Sequence, residues 1–403
     1  MPDHTPAPRH DALSWVAGSD APEKNVLDLG FMALADSASL IVAATQGFAQ
    51  PYGLTLNLRR QASWAGLRDK LVSGELDAAQ MLYGQVYGTH LGIGSPATPM
   101  AILMGLNQNG QSINLSTALR EAGVTTGEAL RERTHQSGAK LTFAHTFPTG
   151  THALWLYYWL ASHGIHPLSD VSSVVVPPAQ MVTHLRAGRI DGFCAGDPWG
   201  AHAVDEGLGF TVATSQSIWA DHPEKVLGVT REFVEQCPNS ARALTMALLE
   251  ASRFIDASEE NRRSTAQLLS AAEFVNAPVA SLEPRFLGHY QDGLGHAWLD
   301  SHPLRFFAEG TVNMPYLSDG IWFLTQFRRW GLLSDDPAYH EVAGEVHQLD
   351  LYREAAEALG IAVPQPLRSS TLFDSKVWDG SDPAGYARSF ALHALAERQK
   401  LAL

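Results

Sequence analysis

The stretch Leu71-Val-Ser-Gly-Glu-Leu-Asp-Ala78 recurs later in the chain as Leu185-Arg-Ala-Gly-Arg-Ile-Asp-Gly192. Both stretches read L-x-x-G-x-(L/I)-D followed by a small residue, and they are 114 positions apart. Two apolar strand signals, at residues 26–31 and 140–144, carry leucines that are also 114 positions apart. A period shared by separate motifs indicates a repeated structural unit. The sequence therefore predicts two similar lobes.

Each copy of the repeat has the same predicted order of elements. A short apolar strand leads through a turn into a helix, and a later helix ends at the shared glycine, Gly74 or Gly188, the usual residue of a left-handed C-cap. The next strand begins at the shared aspartate. Strands that alternate with helices predict an α/β fold with mainly parallel sheets. Ligands of such sheets bind at the carboxyl ends of the strands, so two facing lobes predict a site in a cleft.

The predicted domain organisation has four parts, in agreement with the two or three lobes expected for 403 residues. These parts are a flexible N-terminal segment (1–24), lobe I (25–135 and 230–330), lobe II (136–229) and a helical C-terminal extension (331–403). We expect helices over much of residues 240–290 and again at roughly 318–330. The extension is expected to lack a core of its own.

The composition indicates an acidic globular chain. Hydrophobic residues make up 45% and charged residues 17% of the positions, which excludes an intrinsically disordered chain. The formal net charge of −14 repels phosphate backbones and anionic lipids, so we expect no direct binding to nucleic acid or membranes. Residues 1–23 lack the apolar run of a secretory signal, and no stretch of about 18 apolar residues occurs. These features predict a cytoplasmic location.

The sequence contains no motif that predicts catalysis. Because GxSxG, HExxH, Walker and GxGxxG patterns are all missing, we expect a protein that is not an enzyme and uses no cofactor. His163 and His166 are three positions apart, but Gly164 and Pro167 interrupt the helix that a metal-binding pair would need, so we expect no metal site. The two cysteines form no CxxC motif. Free thiols are favoured for them, and a disulfide stays open.

Four side chains at strand or helix ends are together suited to a small flat oxyanion. Such an ion offers only acceptors, and Trp64 and Gln111 provide an indole and an amide N–H as donors. His152 lies at a predicted helix N-terminus, where free backbone N–H groups and the helix dipole favour an anion. Lys225 provides a full positive charge. Each residue alone also has an ordinary structural interpretation, as a packed ring, a loop amide, a helix cap or a solvated lysine.

These residues lie in motifs that resemble the nitrate- and bicarbonate-binding proteins of bacterial transport systems. The resemblance extends over roughly residues 25–330 and rests on the strings QASW, LDAAQML, NGQSI, FPTGTHALW, DPW and HPEK. It implies the two-lobed type II periplasmic-binding-protein fold, which closes on a ligand between its lobes. It also implies two sets of site residues: anion contacts at Trp64, Gln111, His152 and Lys225, and cleft-lining positions at Gly110, Asp197 and Trp199. At position 197 the family carries a glutamate in its Glu-Pro-Trp string.

One departure from the family narrows the implied function. Transport members carry an export leader, whereas this sequence begins without one, as do the cytoplasmic nitrate and nitrite sensors of the NasS type. Those sensors hold an antiterminator protein with an ANTAR RNA-binding domain and release it when nitrate or nitrite binds, which controls nitrate-assimilation genes. The resemblance therefore implies an anion sensor whose partner, not the chain itself, binds RNA.

Two other functions stay open at this point. The chain could be the nitrate-binding component of an ABC transporter, or an enzyme of the same fold, as the thiamine-pyrimidine synthases are. Bicarbonate or an organic sulfonate is a weaker candidate ligand, because bicarbonate carries a proton that requires a carboxylate or a metal in the site. The sequence does not rank nitrate against nitrite. Replacement of Lys225 or His152 by alanine is expected to weaken nitrate binding without unfolding the chain.

Overall fold

A computed structural model of the protein describes residues 18–136, 138, 140–391 and 393. Within these residues the strands of the two main sheets are β1 (Val26–Met32), β2 (Thr55–Gln61), β3 (Ala78–Leu82), β4 (Met100–Gly105), β5 (Gln111–Ser116), β6 (Thr142–His145), β7 (Ser172–Val175), β8 (Gly192–Gly196), β9 (Gly209–Thr214) and β10 (Lys225–Thr230). Two short hairpins add β11 (His289–Gln291), β12 (Ala297–Leu299), β13 (Ser370–Thr371) and β14 (Val377–Trp378).

The two five-stranded sheets share one strand order. The first sheet is ordered β2-β1-β3-β10-β4 and the second β7-β6-β8-β5-β9, and we name the lobes around them the first and the second lobe. The pair β1 and β3 aligns Leu29 with Ala78, while the pair β6 and β8 aligns Phe143 with Gly192. Both partners are shifted by the same 114 positions that separate the motifs. The predicted repeat is therefore confirmed at the level of strand register.

The shared aspartate binds the first strand of each copy of the repeat, β1 in the first copy and β6 in the second. Asp77 Oδ2 accepts a hydrogen bond from the Asp28 backbone N–H at 2.9 Å, and Asp191 Oδ2 accepts one from the Thr142 N–H at 2.7 Å. The backbone N–H of each aspartate donates in return to the carbonyl of the same strand residue. The shared glycine has a φ of 78° in the first copy and 63° in the second, which glycine adopts without strain. The motif thus encodes the turn from helix to strand.

Two strands cross between the lobes, and the predicted boundaries are wrong at these strands. β5 lies antiparallel between β8 and β9 in the second sheet, and β10 lies antiparallel between β3 and β4 in the first. Residues 111–116 therefore belong to the second lobe instead of predicted lobe I (25–135). Residues 225–230 belong to the first lobe instead of predicted lobe II (136–229). The reason is that each crossing strand makes its ladder hydrogen bonds in the sheet that it enters.

Helices cover both sheets of the described chain. They are α1 (Ala38–Thr45), α2 (Trp64–Val72), α3 (Tyr83–His90), α4 (Thr117–Glu121), α5 (Gly127–Gln136), α6 (Thr151–Ser162), α7 (Met181–Arg186), α8 (Trp199–Asp205), α9 (Ser215–Ile218), α10 (Arg231–Gln236), α11 (Pro238–Asp256), α12 (Glu259–Leu269), α13 (Val279–Phe286), α14 (Leu317–Arg329), α15 (Tyr339–Val346), α16 (Leu349–Ala358) and α17 (Pro383–Arg388). No helix among the described residues combines the length and the apolar character that crossing a membrane requires.

The segment after α14, predicted as an extension without a core of its own, packs into the apolar clusters of the two lobes. Tyr352 of α16 is fully buried in the apolar cluster that contains α11. The buried Trp378 donates its indole N–H to the Ser318 carbonyl of α14 at 2.8 Å. Large aromatic side chains thus attach this segment to the lobes. Residues 392 and 394–403 of the predicted extension lie outside the described residues.

Part of the predicted flexible N-terminal segment (1–24) caps a helix. The Glu23 carboxylate accepts hydrogen bonds from the backbone N–H groups of Asn239 and Ser240, at 3.0 and 2.9 Å, in the first turn of α11. A carboxylate at this position satisfies free N–H groups and interacts favourably with the helix dipole. Residues 18–24 are therefore held against the first lobe, and residues 1–17 lie outside the described residues.

We expect Asp191→Ala to lower the free energy of unfolding by about 1–3 kcal/mol, because the Thr142 N–H loses its charged acceptor. Urea unfolding of both proteins measures the difference. Glu206→Ala is the matched control, since its ion pair with Arg186 is about half exposed and its loss should cost no more than about 0.5 kcal/mol. Equal losses in the two variants would contradict the structural role of the repeat aspartate.

Candidate functional site

The four side chains predicted to contact an anion converge between the lobes. Trp64 opens α2 and Lys225 opens β10 in the first lobe, whereas Gln111 opens β5 and His152 lies in the first turn of α6 in the second lobe. Each is buried, with at most 1% of its surface exposed. Because two of the four lie on the crossing strands, each lobe contributes two side chains to the site.

Local sequence determines where the two helices of the site begin. The Ser63 hydroxyl accepts a hydrogen bond from the Gly66 N–H at 3.1 Å, which is an N-cap that starts α2 at Trp64. Gly150 precedes α6, and a Cβ at this position would lie only 2.6 Å from Leu82 Cδ1 of β3. Glycine therefore permits the helix of the second lobe to approach the first lobe closely.

Lys225 lies between two buried carboxylates. Its Nζ is 2.8 Å from Asp36 Oδ2 and also contacts Glu224 Oε1. The same Nζ is 5.7 Å from the centroid of the Trp64 ring, within the range of a cation–π interaction. Gln80 of β3 donates its amide N–H to the other oxygen of Asp36. The ammonium group is therefore the charged centre of the site.

Burial changes the ionisation of all three charged groups. Removal from water raises the pKa of Asp36 and of Glu224, although the nearby Lys225 acts in the opposite direction. Burial by itself would lower the pKa of Lys225, but the two carboxylates outweigh that effect and the pKa is raised. Lys225 is therefore charged at neutral pH, and its partners are easier to protonate than surface carboxylates.

A chain of hydrogen bonds connects the second lobe to this charged centre. Gln111 Nε2 donates to Thr151 Oγ1 at 3.1 Å, and Thr151 Oγ1 donates to Glu224 Oε1 at 2.8 Å. Cys194, which is a free cysteine, lies beside Gln111 with its Sγ 4.0 Å from Oε1. These hydrogen bonds connect β5 and α6 to Glu224, which directly precedes β10. They therefore join the two lobes inside the site.

The His152 ring is oriented by one hydroxyl group. Its Nδ1 and the Thr146 Oγ1 are 2.6 Å apart. Burial, and after it the charge of Lys225, hold the pKa of His152 well below its ordinary value, so the ring is neutral. When Thr146 donates its hydroxyl proton to Nδ1, the ring proton lies on Nε2. Nε2 is then a hydrogen-bond donor.

Two donors of the site have no hydrogen-bond partner within the part of the chain that the structure describes. They are Trp64 Nε1 and His152 Nε2, and both are buried. A Cβ placed on Gly196 would lie 3.5 Å from His152 Nε2 and 3.2 Å from Asp36 Oδ2. The imidazole and the charged centre therefore both lie next to Gly196. The two N–H groups can therefore donate to a ligand that accepts hydrogen bonds, although Trp155 Nε1 and Trp219 Nε1 are also buried without a partner among the described residues.

The loop at Asp197–Trp199 joins the lobes beside the site. The Ala35 N–H donates to the Asp197 carbonyl at 2.8 Å, and the Trp199 indole N–H donates to the Ala33 carbonyl at 3.0 Å. The Asp197 carboxylate lies 3.3 Å from Arg285 Nε, and burial raises its pKa to about 6 in spite of that arginine. This loop, predicted to line the cleft, therefore holds the two lobes together.

Gly110 shapes the backbone at the start of β5. Its φ is 85°, its carbonyl accepts a hydrogen bond from the Asp197 N–H at 2.9 Å, and a Cβ would lie 2.8 Å from Leu304 Cδ1. The structure thus assigns this residue, predicted as a cleft-lining position, a conformational role next to Gln111.

Three residues of the site were missed by the sequence-based prediction: Asp36, Thr151 and Glu224. Thr151 and Glu224 directly precede predicted contact residues, and Asp36 follows the carboxyl end of β1. These positions were the available signal. Neither Asp36 nor Glu224 has a signature of an anion site in the sequence, because a carboxylate repels an anion, and only the structure shows that a buried ammonium group lies between them.

The fold defines a protein of the two-lobed periplasmic-binding-protein type, with its candidate site between the two lobes. A cavity of about 300 Å³ lies between Met32, Ala33 and Gln61 of the first lobe and Pro177 and Pro178 of the second lobe, and none of the four predicted contact residues lines it. Among the described residues, no group of three or more His, Cys, Asp or Glu side chains could hold a metal ion. The chain belongs to the NMT1-like family, whose model matches residues 20–270, and within it to the substrate-binding proteins of the nitrate- and bicarbonate-binding type.

Two relatives illustrate this membership, one of them compared both by structure and by sequence. The crystal structure of the periplasmic nitrate-binding protein NrtA from Synechocystis PCC 6803 superimposes with a TM-score of 0.88 at 36% identity, over 92% of this chain and 100% of that chain. The nitrate/nitrite binding protein NrtA of Synechocystis is 37% identical over 394 residues, which are 94% of this chain and 88% of the relative. The bicarbonate-binding protein CmpA of Synechococcus elongatus is 30% identical over 406 residues, at 93% and 89% coverage. The predicted two-lobed fold is confirmed.

We expect Lys225→Met to lower the free energy of unfolding by about 3–5 kcal/mol at pH 8, because two buried carboxylates lose their cation. The loss should be smaller at pH 5, since carboxyl groups with a raised pKa can be protonated there. Urea unfolding at both pH values measures it, with the exposed Lys70→Met as the control. A loss that is equal at both pH values would contradict the assigned charges. This cost also means that an alanine at position 225 affects folding as well as binding.

Proposed function

We propose that the protein binds nitrate or nitrite in the cleft, with Trp64, Gln111, His152 and Lys225 around the anion. The observation that carries the proposal is the convergence of these side chains from both lobes, together with two N–H groups that lack a partner among the described residues. The similarity to relatives named as nitrate/nitrite binding proteins supports the same ligand.

The chemistry of the site suits a small ion that only accepts hydrogen bonds. The oxygens of nitrate and nitrite can accept from Trp64 Nε1 and from His152 Nε2, while Lys225 supplies a positive charge. Among the described residues, the positive group in the ion pairs of the site is the single ammonium group of Lys225, so the site suits a singly charged ion better than a dianion, which usually binds bidentate arginines.

We propose further that the anion acts as a signal in the cytoplasm. The ligand favours a closed cleft, in which Thr151 contacts Glu224 and Trp199 contacts Ala33 across the lobes. An antiterminator partner with an ANTAR RNA-binding domain favours the open cleft and is released on closure. By linkage, the anion and the partner each weaken the binding of the other by the same factor. This factor is ~5–150-fold for a coupling of about 1–3 kcal/mol. The net charge of −14 supports RNA binding by the partner instead of by this chain.

A transport role is supported equally well by the relatives. The superimposed NrtA is named as a periplasmic nitrate-binding protein, and a relative 37% identical to this chain is named as a nitrate import ATP-binding protein. A cleft that closes on an anion can deliver it to a transporter as well as release a partner. The location of the protein and the response of a partner to nitrate separate the two roles. Since the relatives described above are ligand-binding proteins, the synthase alternative is not proposed further.

Asp36 and Glu224 favour bicarbonate as the second candidate ligand. Bicarbonate is a weaker candidate from the sequence because its proton requires a carboxylate or a metal, but two carboxylates contact Lys225 in the structure. The relative CmpA, at 30% identity, is named as a bicarbonate-binding protein. Bicarbonate is therefore compared directly with nitrate and nitrite in the binding experiment.

We expect Trp64→Phe and His152→Ala each to weaken nitrate binding by roughly 10–100-fold, because each removes one donor to a charged acceptor. Titration calorimetry with sodium nitrate, sodium nitrite and sodium bicarbonate measures the affinities at equal ionic strength. Trp298→Phe is the control, since Trp298 lies in the β11–β12 hairpin and donates to Asp300. Unchanged nitrate affinity in both variants would refute the proposed contacts of Trp64 and His152 with the anion. Tight binding of bicarbonate alone would identify bicarbonate as the ligand in place of nitrate.

The signalling role predicts that nitrate dissociates a purified complex of the chain with an ANTAR-domain antiterminator. Size-exclusion chromatography with and without sodium nitrate measures this. The same complex made with His152→Ala should persist at nitrate concentrations that dissociate the wild-type complex. A complex that is indifferent to nitrate, while the chain alone binds nitrate, would favour the transport role.

A further inference from the structure

The candidate site holds more negative than positive side chains. Asp36 and Glu224 share the ammonium group of Lys225, whose Nζ is 2.8 Å from Asp36 Oδ2 and in contact with Glu224 Oε1. All three side chains are at most 2% exposed. With both carboxylates ionised, this triad carries a net charge of −1. A bound anion would add a second negative charge to the same buried space, where water screens little.

The histidines near the triad supply no compensating charge. Burial lowers the pKa of His145 to about 4 and that of His222 to about 3, with only small opposing effects from backbone carbonyls. Burial and the charge of Lys225 lower the pKa of His152 even more clearly. All three rings are therefore neutral at pH 7 and above.

The other groups that face the triad leave its charge unchanged. Gln80 and Thr151 donate neutral hydrogen bonds to the two carboxylates. Burial raises the pKa of the Cys194 thiol, so it is uncharged. Asp197 is a further carboxylate that acts on Asp36, and its charge is paired with Arg285 at 3.3 Å. The balance of −1 is therefore a property of the triad itself.

Glu224 has one oxygen that is available for a proton. Its Oε1 accepts from Thr151 and contacts Lys225, whereas Oε2 is buried and has no hydrogen-bond partner among the described residues. Oε2 lies 4.0 Å from His222 Nδ1, which itself donates to the Pro223 carbonyl at 3.0 Å. Asp36 Oδ2 also accepts no hydrogen bond among the described residues, but it lies 2.8 Å from Lys225 Nζ, a contact that Glu224 Oε2 lacks, and Gln80 donates to the other oxygen of Asp36. A proton on Glu224 Oε2 therefore displaces no existing contact.

We propose that the site binds its anion together with one proton, which Glu224 takes up at Oε2. This inference rests on the anion binding proposed above. Protonation makes Glu224 neutral, so the triad and the anion together carry −1, the same charge as the triad alone. The proton comes from solvent when the anion enters and returns to solvent when it leaves. The raised pKa of Glu224, caused by burial, supports this role.

Proton uptake is measured by calorimetric titration of sodium nitrate into the full chain at pH 8.5, in two buffers with different ionisation enthalpies. We expect close to one proton per bound anion. The Kd should rise about tenfold per pH unit above the pKa that Glu224 has in the free protein, as one linked proton requires. Binding that is independent of both buffer and pH between about pH 6 and 9 would overturn the inference. No nitrate binding in any buffer would instead overturn the proposed function.

The position of the proton is tested with Glu224→Gln, which is neutral at every pH. This variant should bind nitrate at pH 8.5 more tightly than the wild type and without proton uptake, and the exposed Glu206→Gln should keep the uptake. Difference infrared spectra of the wild-type chain provide a test that needs no variant. Nitrate should produce a carboxylic-acid band that shifts when glutamate carboxyls are labelled with carbon-13. Proton uptake that persists in Glu224→Gln, or a carboxylic-acid band that does not shift with the carbon-13 label, would place the proton elsewhere. Either result would overturn the assignment of the proton to Glu224.

Discussion

One buried ammonium group links the crossing strand, the first sheet and the candidate site. Lys225 opens β10, the strand by which the chain returns to the first lobe, and its Nζ binds Asp36 beyond the end of β1 and Glu224 beside it. A charge in the interior is stable only while its partners stay in place, because an unpaired buried ion is costly. The ion pairs of Lys225 therefore require β10 to lie where it does in the first sheet.

The second lobe meets the first at this same charged centre. Thr151 donates a hydrogen bond to Glu224. His152 is the next residue of α6, and its Nε2 and Asp36 Oδ2 both lie close to Gly196. Closing the cleft thus changes the surroundings of the groups that carry the charge. In the proposed function, the anion, the proton and the relative position of the lobes all act on this one set of atoms, which would provide a physical basis for coupling a ligand to a partner or to a transporter.

The convergence of four candidate side chains could be predicted because each is chemically distinctive and lies at the end of a strand or near the start of a helix. Trp64, Gln111, His152 and Lys225 combine donors and one charge in a pattern that suits an oxyanion, and the structure brings them together. The carboxylate of Asp36 could not be predicted in the same way. An acidic residue beside an anion site is unfavourable until its cation is known, and that cation lies on a distant strand.

The sequence by itself determined the repeat and the local turn within it, because both depend on neighbouring residues. The glycine permits a positive φ, and the aspartate three positions later binds the adjacent strand in both copies. Only the tertiary structure decided that Gln111 belongs to the second lobe and Lys225 to the first, and that two carboxylates share one lysine. Those facts depend on ladder hydrogen bonds and ion pairs between distant segments, which leave no periodic pattern in the chain.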